Sequence, residues 1–588
     1  MEKTFDSLSL DDRKIIIGID FGTTFTGVAW AETRRPDHIS VIESWPSHTG
    51  TQEGISSVKV PTELRYTKSP DPLTKGEVEW GFQIPGLVDR YQWFKLGLDE
   101  SNPLVSTKSW GDKTPDQLAE DYLSAIHKHI MYSLEQKLGA ALLRTIPLEF
   151  SLTVPAIWTE AAKDKTLKAW RKASSGTSTS TNTPESKEQV VHLVSEPEAA
   201  AIYAIQGLDP HGLKVGDSFV LCDAGGGTVD LISYRIIELT PILKVEEVTT
   251  GTGGPCGSTF LNRRFADFLT RKLGREEGWD DEVLQEAVER FESIVKKQYS
   301  PTIDGGNGYI IPVPGLSNNS TLNIRRGKIT IAPAEMHFIF EPLILKVIKY
   351  VQDQIAACSG IDGISIRAVL LVGGFGQNAY LKERLRDALK SVEVLQPPNA
   401  WTAVVRGAVM MGLSRTKALR TVDVVSRKAR KHYGIELHTP YRVEKGHDES
   451  KRYWCTRHGH YRVHAMFWFL ERGATLQEDK AIPIDFYQDF PVAKGRPGFM
   501  YTDVWANAED EGAPVHRNGG TKVLVTLKAN LSAIPQVDLE RTVVKRSDGK
   551  EYYNIDAVIE ATYSSAETRY VLNVMGKRYD VVNAEYAY

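Results

Sequence analysis

Residues 14–30 read KIIIGIDFGTTFTGVAW, and this stretch decides the fold. An apolar run ends at Asp20, the polar turn Gly22-Thr23-Thr24 follows, and alternating apolar residues then resume. The pattern predicts a β-hairpin with a tight polar turn. Glycine lets the backbone of such a turn approach a ligand closely, and the N–H groups and hydroxyls of the turn can surround phosphate oxygens.

A second stretch repeats this plan. Residues 218–234 read SFVLCDAGGGTVDLISY, again an apolar strand, an aspartate, a Gly/Thr turn and an alternating strand. Asp20 and Asp223 are about 200 residues apart, so the repetition indicates two similar lobes that each open with a hairpin. A third strand and glycine turn, RAVLLVGGF at residues 367–375, leads into a helix that begins near Ala379.

Apolar periodicity predicts the elements between these turns. Residues 114–143 predict a long amphipathic helix that opens with a capping box of Thr114 and Gln117. Residues 403–413 predict a helix of small residues that can pack closely on a neighbour. We also expect a strand at 148–154, helices at 159–173, 279–297 and 334–358, a Ser/Thr-rich surface loop at 174–186 and a turn at 304–308.

Carboxylates beside the glycine turns suggest a cation. Asp20, Asp223 and Asp230 would concentrate negative charge unless a divalent ion lies between them and the phosphates. Mg²⁺ is expected, because carboxylates commonly hold it through its water shell while phosphate oxygens bind it directly. Each turn alone could be an ordinary β-turn, but two matched hairpins together with Gly373-Gly374 favour a phosphate clamp.

Composition narrows the class of protein. The 588 residues are 41% hydrophobic and 25% charged, with 71 basic and 75 acidic side chains and a net charge of -4. This balance argues against a chain built to coat nucleic acid or an anionic membrane. The four cysteines are scattered without paired spacing, and no segment approaches the roughly 18 apolar residues of a membrane span. We therefore expect a cytoplasmic or nuclear protein.

Five segments resemble motifs of the seventy-kilodalton heat-shock chaperone family, within the actin-like ATPase superfamily. In family order they are GIDFGTTFTGVA, VSEPEAAAIYA, LCDAGGGTVDL, VLLVGGFGQNAYLKERL and AVVRGAVMMGL, which together extend over residues 15–415. The segments GTGGPCGSTFLNRRF, VSRKARKHYGIEL and YVLNVMGKRYDVVNAEYAY are similar to the divergent twelve-type branch of that family, common among fungal homologues.

The resemblance implies an α/β fold: a two-lobed, actin-like (ribonuclease H-like) ATPase domain followed by a smaller β-rich, sandwich-like domain. The first domain would comprise residues 1–421, with one lobe at 15–215 and 402–421 and the other at 216–401. Residues 422–588, which are rich in short alternating runs, would form the second domain, a shortened substrate-binding domain.

By position, the resemblance also implies site residues. Asp20, Asp223 and Glu196 would hold hydrated magnesium through water, Lys95 in YQWFKLGL would be the catalytic lysine, and Asp230 would lie beside the attacking water. Further contacts to ATP or ADP would come from Gly22, Thr23, Thr24, Gly225, Gly226, Gly227, Thr228, Gly257, Lys296, Gly373, Gly374, Phe375 and Gln377. Each carboxylate could instead be a turn or helix-cap residue, and the lysines could lie on the surface.

The adenosine side departs from the family pattern. Gln377 stands where the family has an arginine that stacks on the base. Residues 256–261, CGSTFL, replace a family segment that contains acidic groups. Lys296 and Lys297 are candidates to replace the family's basic pair, or they form the solvated face of a helix.

Three features of the second domain have two interpretations each. The histidines of CTRHGHYRVH, His458, His460 and His464, together with Cys455 could bind zinc, although their spacing favours ordinary packed or solvated side chains. The basic residues 426–431, SRKARK, favour a solvated strand edge over a nucleic-acid patch. The aromatic residues Trp454, Phe467, Trp468 and Phe469 favour core packing over a peptide groove.

The expected function is a Mg²⁺-dependent, slowly hydrolysing ATPase of the chaperone type, whose nucleotide state regulates polypeptide binding. Its partners would be ATP, unfolded or extended polypeptide clients and co-chaperones, with no nucleic acid and no membrane span. One alternative is a catalytically inactive scaffold of the same fold. A small-metabolite kinase is less favoured, because no acceptor pocket with a carboxylate base is identifiable in the sequence.

Overall fold

The structure of the chain is a computed structural model that describes residues 13–48, 55–67, 77–100, 110–175, 189–207, 212–301, 308–416, 419–478, 480–509, 512–564, 566–579 and 585–586. The chain divides into two compact units, Met1–Asp423 and Val424–Tyr588. No helix in these described ranges is both long enough and apolar enough to cross a bilayer.

The first sheet of unit 1 contains the predicted first hairpin. In spatial order its strands are Val190–Ser195, Leu148–Val154, Ile15–Phe21, Phe25–Glu32 and Ser40–Val41, and Val60–Pro61 also pairs with Phe25–Glu32. The hairpin strands are antiparallel and place Asp20 opposite Gly27. All seven residues of Ile15–Phe21 are buried, as expected for a strand that is covered on both faces.

The second sheet repeats this arrangement. Its strands in unit 1 are, in spatial order, Glu393–Leu395, Ile366–Val372, Ser218–Ala224, Val229–Glu238 and Leu243–Glu247, and Thr252–Gly254 also pairs with Val229–Glu238. In both sheets the first hairpin strand has an antiparallel partner on one side and a parallel strand on the other. The second hairpin is thus confirmed, and it places Asp223 directly opposite Asp230.

Three small sheets complete the strands of unit 1. They pair Ser44–Trp45 with Ile55–Ser56, Glu63–Tyr66 with both Val78–Trp80 and Tyr91–Gln92, and Tyr309–Pro312 with Lys328–Ile331.

Helices cover the two larger sheets of unit 1. They are Pro115–Leu138, Ala140–Leu143, Glu160–Ser175, Glu196–Gly207, Thr259–Leu273, Asp281–Arg290, Lys296–Gln298, Pro333–Ser359, Ala379–Ala388 and Ala403–Ser414. The capping box of Thr114 and Gln117 is confirmed. The helix predicted at 114–143 ends early at Gly139, whose φ of 82° breaks the helical geometry.

Two further predictions are corrected by the structure. The helix predicted at 279–297 is interrupted by a π-helical turn at Phe291–Val295, which apolar periodicity does not reveal. The loop predicted at 174–186 begins too early, because the preceding helix continues to Ser175. The rest of that loop, and most of the turn predicted at 304–308, lie outside the described residues.

The small-residue helix Ala403–Ser414 packs on Glu196–Gly207 as predicted. A Cβ added at Gly407 would lie 1.7 Å from the carbonyl oxygen of Ala199, and one at Gly412 would lie 2.3 Å from a methyl carbon of Ile16. The backbones therefore touch at a distance that only glycine permits.

Unit 2 is built mainly from two sheets. The strands of the first sheet are, in spatial order, Tyr453–Cys455, His460–Leu470, His432–Pro440, Phe499–Asn507, Thr521–Asn530 and Glu585–Tyr586. Those of the second sheet are Ile482–Pro491, Glu551–Tyr563, Thr568–Val574 and Lys577–Tyr579, and Val543–Lys545 also pairs with Glu551–Tyr563. Within this unit, Val422–Lys428 pairs with Thr475–Gln477 through residues 426–428, and a short helix spans Gln536–Glu540. Buried residues of both larger sheets, such as Val504 and Ile559, join in one hydrophobic core.

The aromatic prediction for unit 2 is wrong in part. Trp454 is 55% exposed and Phe467 is 48% exposed, whereas Phe469 packs against the core. Trp454 lies on an edge strand and contacts Tyr461 edge-on, with ring centroids 5.2 Å apart. Alternation predicts the face on which a strand residue lies but not whether the opposing layer covers it.

The histidine-rich segment does not bring its side chains to one point. Cys455 Sγ lies 3.3 Å from His458 Nδ1, whereas the ring of His464 packs against that of His438 at 3.8 Å. Gly459, with φ of 70°, lies in the turn between two strands. Across the described part of the chain, no three His, Cys, Asp or Glu side chains form a group that could ligate a metal ion directly.

The basic segment 426–431 is less solvated than expected. The Arg427 side chain is buried and lies 3.3 Å from a Glu478 oxygen. The carboxylate of Glu478, from a neighbouring segment, thus explains why the Arg427 side chain can be buried. Composition alone does not reveal this contact.

We predict that Gly407→Ala destabilises the chain by about 3 kcal/mol, because the new methyl must displace helix backbone. Gly360→Ala is the matched control, since its nearest neighbour would lie 3.9 Å away and its change should stay within about 0.5 kcal/mol. Urea unfolding of both variants measures the difference. Equal unfolding midpoints would show that the helix contact is looser than described.

Candidate functional site

A cavity of about 780 Å³ lies between the two hairpins of unit 1. The structure brings most of the predicted site residues to its wall: Asp20, Gly22, Thr23, Thr24, Lys95, Glu196, Asp223, Gly225, Gly226, Gly227, Thr228, Lys296, Gly373, Gly374, Phe375 and Gln377. They come from distant parts of the chain, so the site depends on the pairing of the two sheets with their turns facing one another.

Two predicted residues lie behind the wall. Gly257 packs against the second glycine turn, where its N–H donates to the Gly227 carbonyl at 3.2 Å and an added Cβ would meet Gly226 O at 2.4 Å. Asp230 is buried as the cross-strand partner of Asp223. Neither residue lines the cavity, but each contacts a residue that does.

Glycine is required where the two turns meet. A Cβ at Gly226 would lie 2.3 Å from Thr24 Oγ1, and one at Gly227 would lie 2.6 Å from Thr23 Oγ1. At the third turn Gly373 has φ of 84°, and a Cβ there would lie 2.5 Å from Asp223 Oδ1. The Thr23 and Thr24 hydroxyls therefore lie against the glycine backbone of the second turn at one end of the cavity. Hydroxyls and glycine backbone in such a turn suit phosphate oxygens.

Two buried ion pairs lie at this end. Lys95 Nζ donates to Glu196 Oε1 at 2.6 Å, and Lys59 Nζ donates to Asp20 Oδ2 at 2.5 Å. Lys95 is only 1% exposed, and its ammonium also lies over the ring of Trp158 at 5.1 Å. Lys95 is thus held at the cavity by a carboxylate and an aromatic face.

The carboxylates outnumber the lysines. Asp20, Glu196, Asp223 and Asp230 are all buried, and Lys59 and Lys95 neutralise two of these four charges, which leaves two negative charges. We call these four carboxylates and two lysines the charge cluster.

Burial governs the protonation of this cluster. It raises the pKa of Glu196 to about 7, an effect that Lys95 opposes and that Asp20 and Asp230 reinforce. Burial, followed by repulsion from the other three carboxylates, raises the pKa of Asp223 well above its ordinary value. Positive charge must therefore reach the cluster if Glu196 and Asp223 are to stay ionised at neutral pH.

This arrangement fits a hydrated divalent cation together with a polyphosphate. Asp20, Asp223 and Glu196 present carboxylate oxygens to the cavity, and oxygen is the ligand type that Mg²⁺ prefers. The remaining two negative charges of the cluster match the charge of one such ion.

The basic residue predicted on the adenosine side is buried. Lys296 Nζ donates to Asn262 Oδ1 at 3.0 Å and to Glu292 Oε1 at 3.2 Å, and burial lowers its pKa. Lys297 also lines the cavity but is exposed. Asn378 follows the third glycine turn and caps the helix Ala379–Ala388. Its side-chain amide donates to the Lys296 carbonyl at 2.8 Å, so the backbone of this lysine is hydrogen-bonded to the segment after that turn.

Sequence reasoning missed several residues of the wall, among them Lys59 and Trp401. Lys59 precedes Val60-Pro61, and its position inside the apolar run VKV is the signal that could have found it. Trp401 is half-buried, contacts Phe25 edge-on at 5.6 Å, and would lie 3.3 Å from a Cβ on Gly374. An aromatic residue directly before the second connecting-helix motif was the available signal for Trp401.

Comparison with known proteins agrees with this geometry. No protein-family model matches the chain. Human heat shock 70 kDa protein 12A is 24% identical in an alignment of 540 residues that covers 75% of each chain. Human heat shock 70 kDa protein 12B is 23% identical in an alignment of 549 residues that covers 75% of this chain and 74% of that one. The chaperone protein HscA of Proteus mirabilis is 24% identical over 427 residues, 70% of this chain and 61% of its own.

The chain is similar to members of the 70 kDa heat-shock protein family, and a divergent branch of that family fits these identities. The similarity implies a fold of the actin-like ATPase kind, with mixed α/β content and several sheets. The repeated hairpins of unit 1 and the cavity between them agree with it.

We predict strong coupling between Lys95 and Glu196. Lys95→Met should lower the free energy of unfolding by about 3 kcal/mol, because it leaves Glu196 buried without its partner. Glu196→Gln should lower it by less, because the loss of the partner of Lys95 is offset by weaker repulsion among the remaining carboxylates. The double variant should lose at least about 1 kcal/mol less than the sum of the two single losses. Urea unfolding in metal-free buffer measures this cycle, and simple additivity would contradict the ion pair.

Proposed function

We propose that the chain binds MgATP and MgADP in the cavity of unit 1 and hydrolyses ATP slowly, as a nucleotide-regulated, chaperone-like protein. The observation that carries this proposal is the contact of two Gly/Thr turns above the charge cluster. Relatives that are named heat shock proteins and chaperones support the same conclusion.

The phosphates would bind on the cavity side of the contact between the Thr23-Thr24 turn and residues 225–228, which line the cavity. Lys95 would direct its positive charge to the phosphoryl group, on which negative charge develops during transfer. Glu196 would fix Lys95 and orient water, and Asp230 would act through Asp223. Such transfer to water needs alignment and charge stabilisation more than a covalent nucleophile.

Magnesium, when bound, would neutralise phosphate charge and polarise the phosphoryl group. Asp20, Asp223 and Glu196 would hold its water shell, since their oxygens face the phosphate end of the cavity.

Trp401 would bind the nucleoside in place of the missing arginine. Gln377 cannot supply a guanidinium plane, whereas the indole of Trp401 lies beside Gly374 on the same wall of the cavity. An aromatic face can stack on a base.

Unit 2 would bind extended polypeptide clients, as a shortened sandwich-like substrate domain. Four aromatic side chains support this role by their exposure: Trp454 at 55%, Tyr461 at 47%, Phe499 at 44% and Tyr501 at 52%. Exposed aromatic residues on sheets suit apolar segments of an unfolded chain.

A scaffold that binds nucleotide weakly or not at all is the second candidate. It is favoured by Gln377, which lines the adenosine side of the cavity without a charge. Nucleotide binding separates this candidate from the ATPase.

We predict that the wild-type chain binds MgATP and MgADP in calorimetry and releases phosphate slowly. Asp20→Asn with Asp223→Asn should weaken MgATP binding at least about tenfold and abolish phosphate release, because two cation-facing carboxylates are lost. Asp353→Asn, a change at a 56% exposed carboxylate, is the matched control. Unchanged binding by the double variant would contradict the proposed site, and absence of wild-type binding would favour the scaffold.

We also predict that Trp401→Ala weakens ATP and ADP binding about tenfold, since stacking of a base on an aromatic ring contributes roughly 1–3 kcal/mol. The same substitution should weaken the binding of inorganic triphosphate much less, because Trp401 contacts the first hairpin at Phe25, which follows the Thr23-Thr24 turn that would hold the phosphates. Trp454→Ala, in unit 2, is the control. Equal losses for triphosphate and nucleotide would show that Trp401 acts on the fold rather than on the base.

A further inference from the structure

Lys59 is a second lysine of the site that motif reasoning does not assign. It directly precedes the short strand Val60–Pro61, which pairs with the outgoing strand of the first hairpin. Its Nζ donates to Asp20 Oδ2 at 2.5 Å, its side chain is 8% exposed, and it lines the cavity. The ammonium thus lies at the first carboxylate of the charge cluster.

The first hairpin is shaped to admit this side chain. Gly27 is the cross-strand partner of Asp20, and a Cβ at Gly27 would lie 3.3 Å from both Cγ and Cε of Lys59. The lysine stem therefore occupies the space that a side chain opposite Asp20 would fill. Ser57 Oγ donates to the Lys59 carbonyl at 2.7 Å and fixes the approach of the segment.

The two lysines of the cluster serve different carboxylates. Lys95 pairs with Glu196, and Lys59 pairs with Asp20. A lysine ammonium has three donors, and the hydrogen bond to Asp20 is the one that Lys59 Nζ makes among the described residues. Two N–H bonds therefore remain for oxygen atoms in the cavity.

Burial of such a pair is poorly explained by stability alone. Removing two charges from water costs several kcal/mol per ion, and the attraction between them often only offsets that loss. A lysine held at the wall of a cavity gains further favourable interactions when an anion binds there.

We propose that Lys59 is an internal cation of the nucleotide site, which neutralises Asp20 and donates to the terminal phosphates, so that a nucleoside triphosphate binds with a reduced requirement for divalent metal. This inference rests on the proposed function, because it concerns the same cavity. Lys59 and a hydrated metal ion then share the negative charge of Asp20.

The test compares ATP binding in EDTA with ATP binding in saturating Mg²⁺, by calorimetry on the full chain. Wild-type protein should bind ATP in both conditions. The quantity to compare is the dissociation constant for ATP in EDTA divided by that in Mg²⁺. Lys59→Gln should raise this ratio about tenfold. In Mg²⁺ the metal ion can neutralise Asp20 in place of the lost lysine, whereas in EDTA nothing replaces it. Lys59→Arg, which keeps the charge, should leave the ratio near the wild-type value.

Two further variants guard against misfolding. Gly27→Ala keeps both charges and crowds the lysine stem, so it should raise the same ratio by a smaller factor. Lys349→Gln removes a lysine that is 75% exposed and should change nothing. Thermal unfolding of each variant verifies that the fold is retained.

Failure of this inference differs from failure of the proposed function. If wild-type protein binds MgATP but not ATP in EDTA, or if Lys59→Gln leaves the ratio unchanged, the role of Lys59 is overturned and the nucleotide site stands. If wild-type protein binds ATP in neither condition, the proposed function fails, and the role of Lys59 fails with it.

Discussion

Burial of four carboxylates where two glycine turns meet is the constraint on which the rest of unit 1 depends. Carboxylates are costly to bury while ionised, and their mutual repulsion adds to the cost. Lys59 and Lys95 offset two of the charges, and the raised pKa values of Glu196 and Asp223 reflect what is left. A site of this kind is completed by a cation and a polyphosphate, and this is why we read it as functional rather than structural.

The same constraint links the site to the packing of helices. Glu196 is the first residue of the helix Glu196–Gly207, on which Ala403–Ser414 packs through Gly407. Trp401 lies in the short turn that leads into Ala403–Ser414. A shift of one helix along the other would therefore move Glu196, the partner of Lys95, relative to Trp401. This gives the pair of helices a direct mechanical connection to both ends of the cavity.

The parts of this structure that the sequence predicts are those with local causes. Apolar alternation and the glycine turns predict both hairpins, and the capping box predicts that a helix begins at Pro115. Sixteen predicted residues line one cavity. The repeat of the hairpin motif predicted the two glycine turns and their aspartates, whereas the resemblance to a family implied the others, such as Lys95 and Glu196.

What the sequence did not predict depends on contacts between distant segments. Lys59 reaches Asp20 from 39 residues along the chain, through a space left by Gly27. Gly257 was expected in the cavity, yet it packs behind the glycine turn because two backbones meet there. Trp454 and Phe467 looked like core residues, but coverage by a second layer is a tertiary property that alternation does not encode. The π-helical turn at Phe291–Val295 likewise has no periodic signal.

A crystal structure of the chain with MgADP tests the central claim most directly. The account predicts the phosphates on the cavity side of the contact between Thr24 and Gly226, with the metal ion held through water by Asp20 and Asp223 and the base beside Trp401. Nucleotide bound elsewhere, or an empty cavity at saturating MgADP, would contradict it.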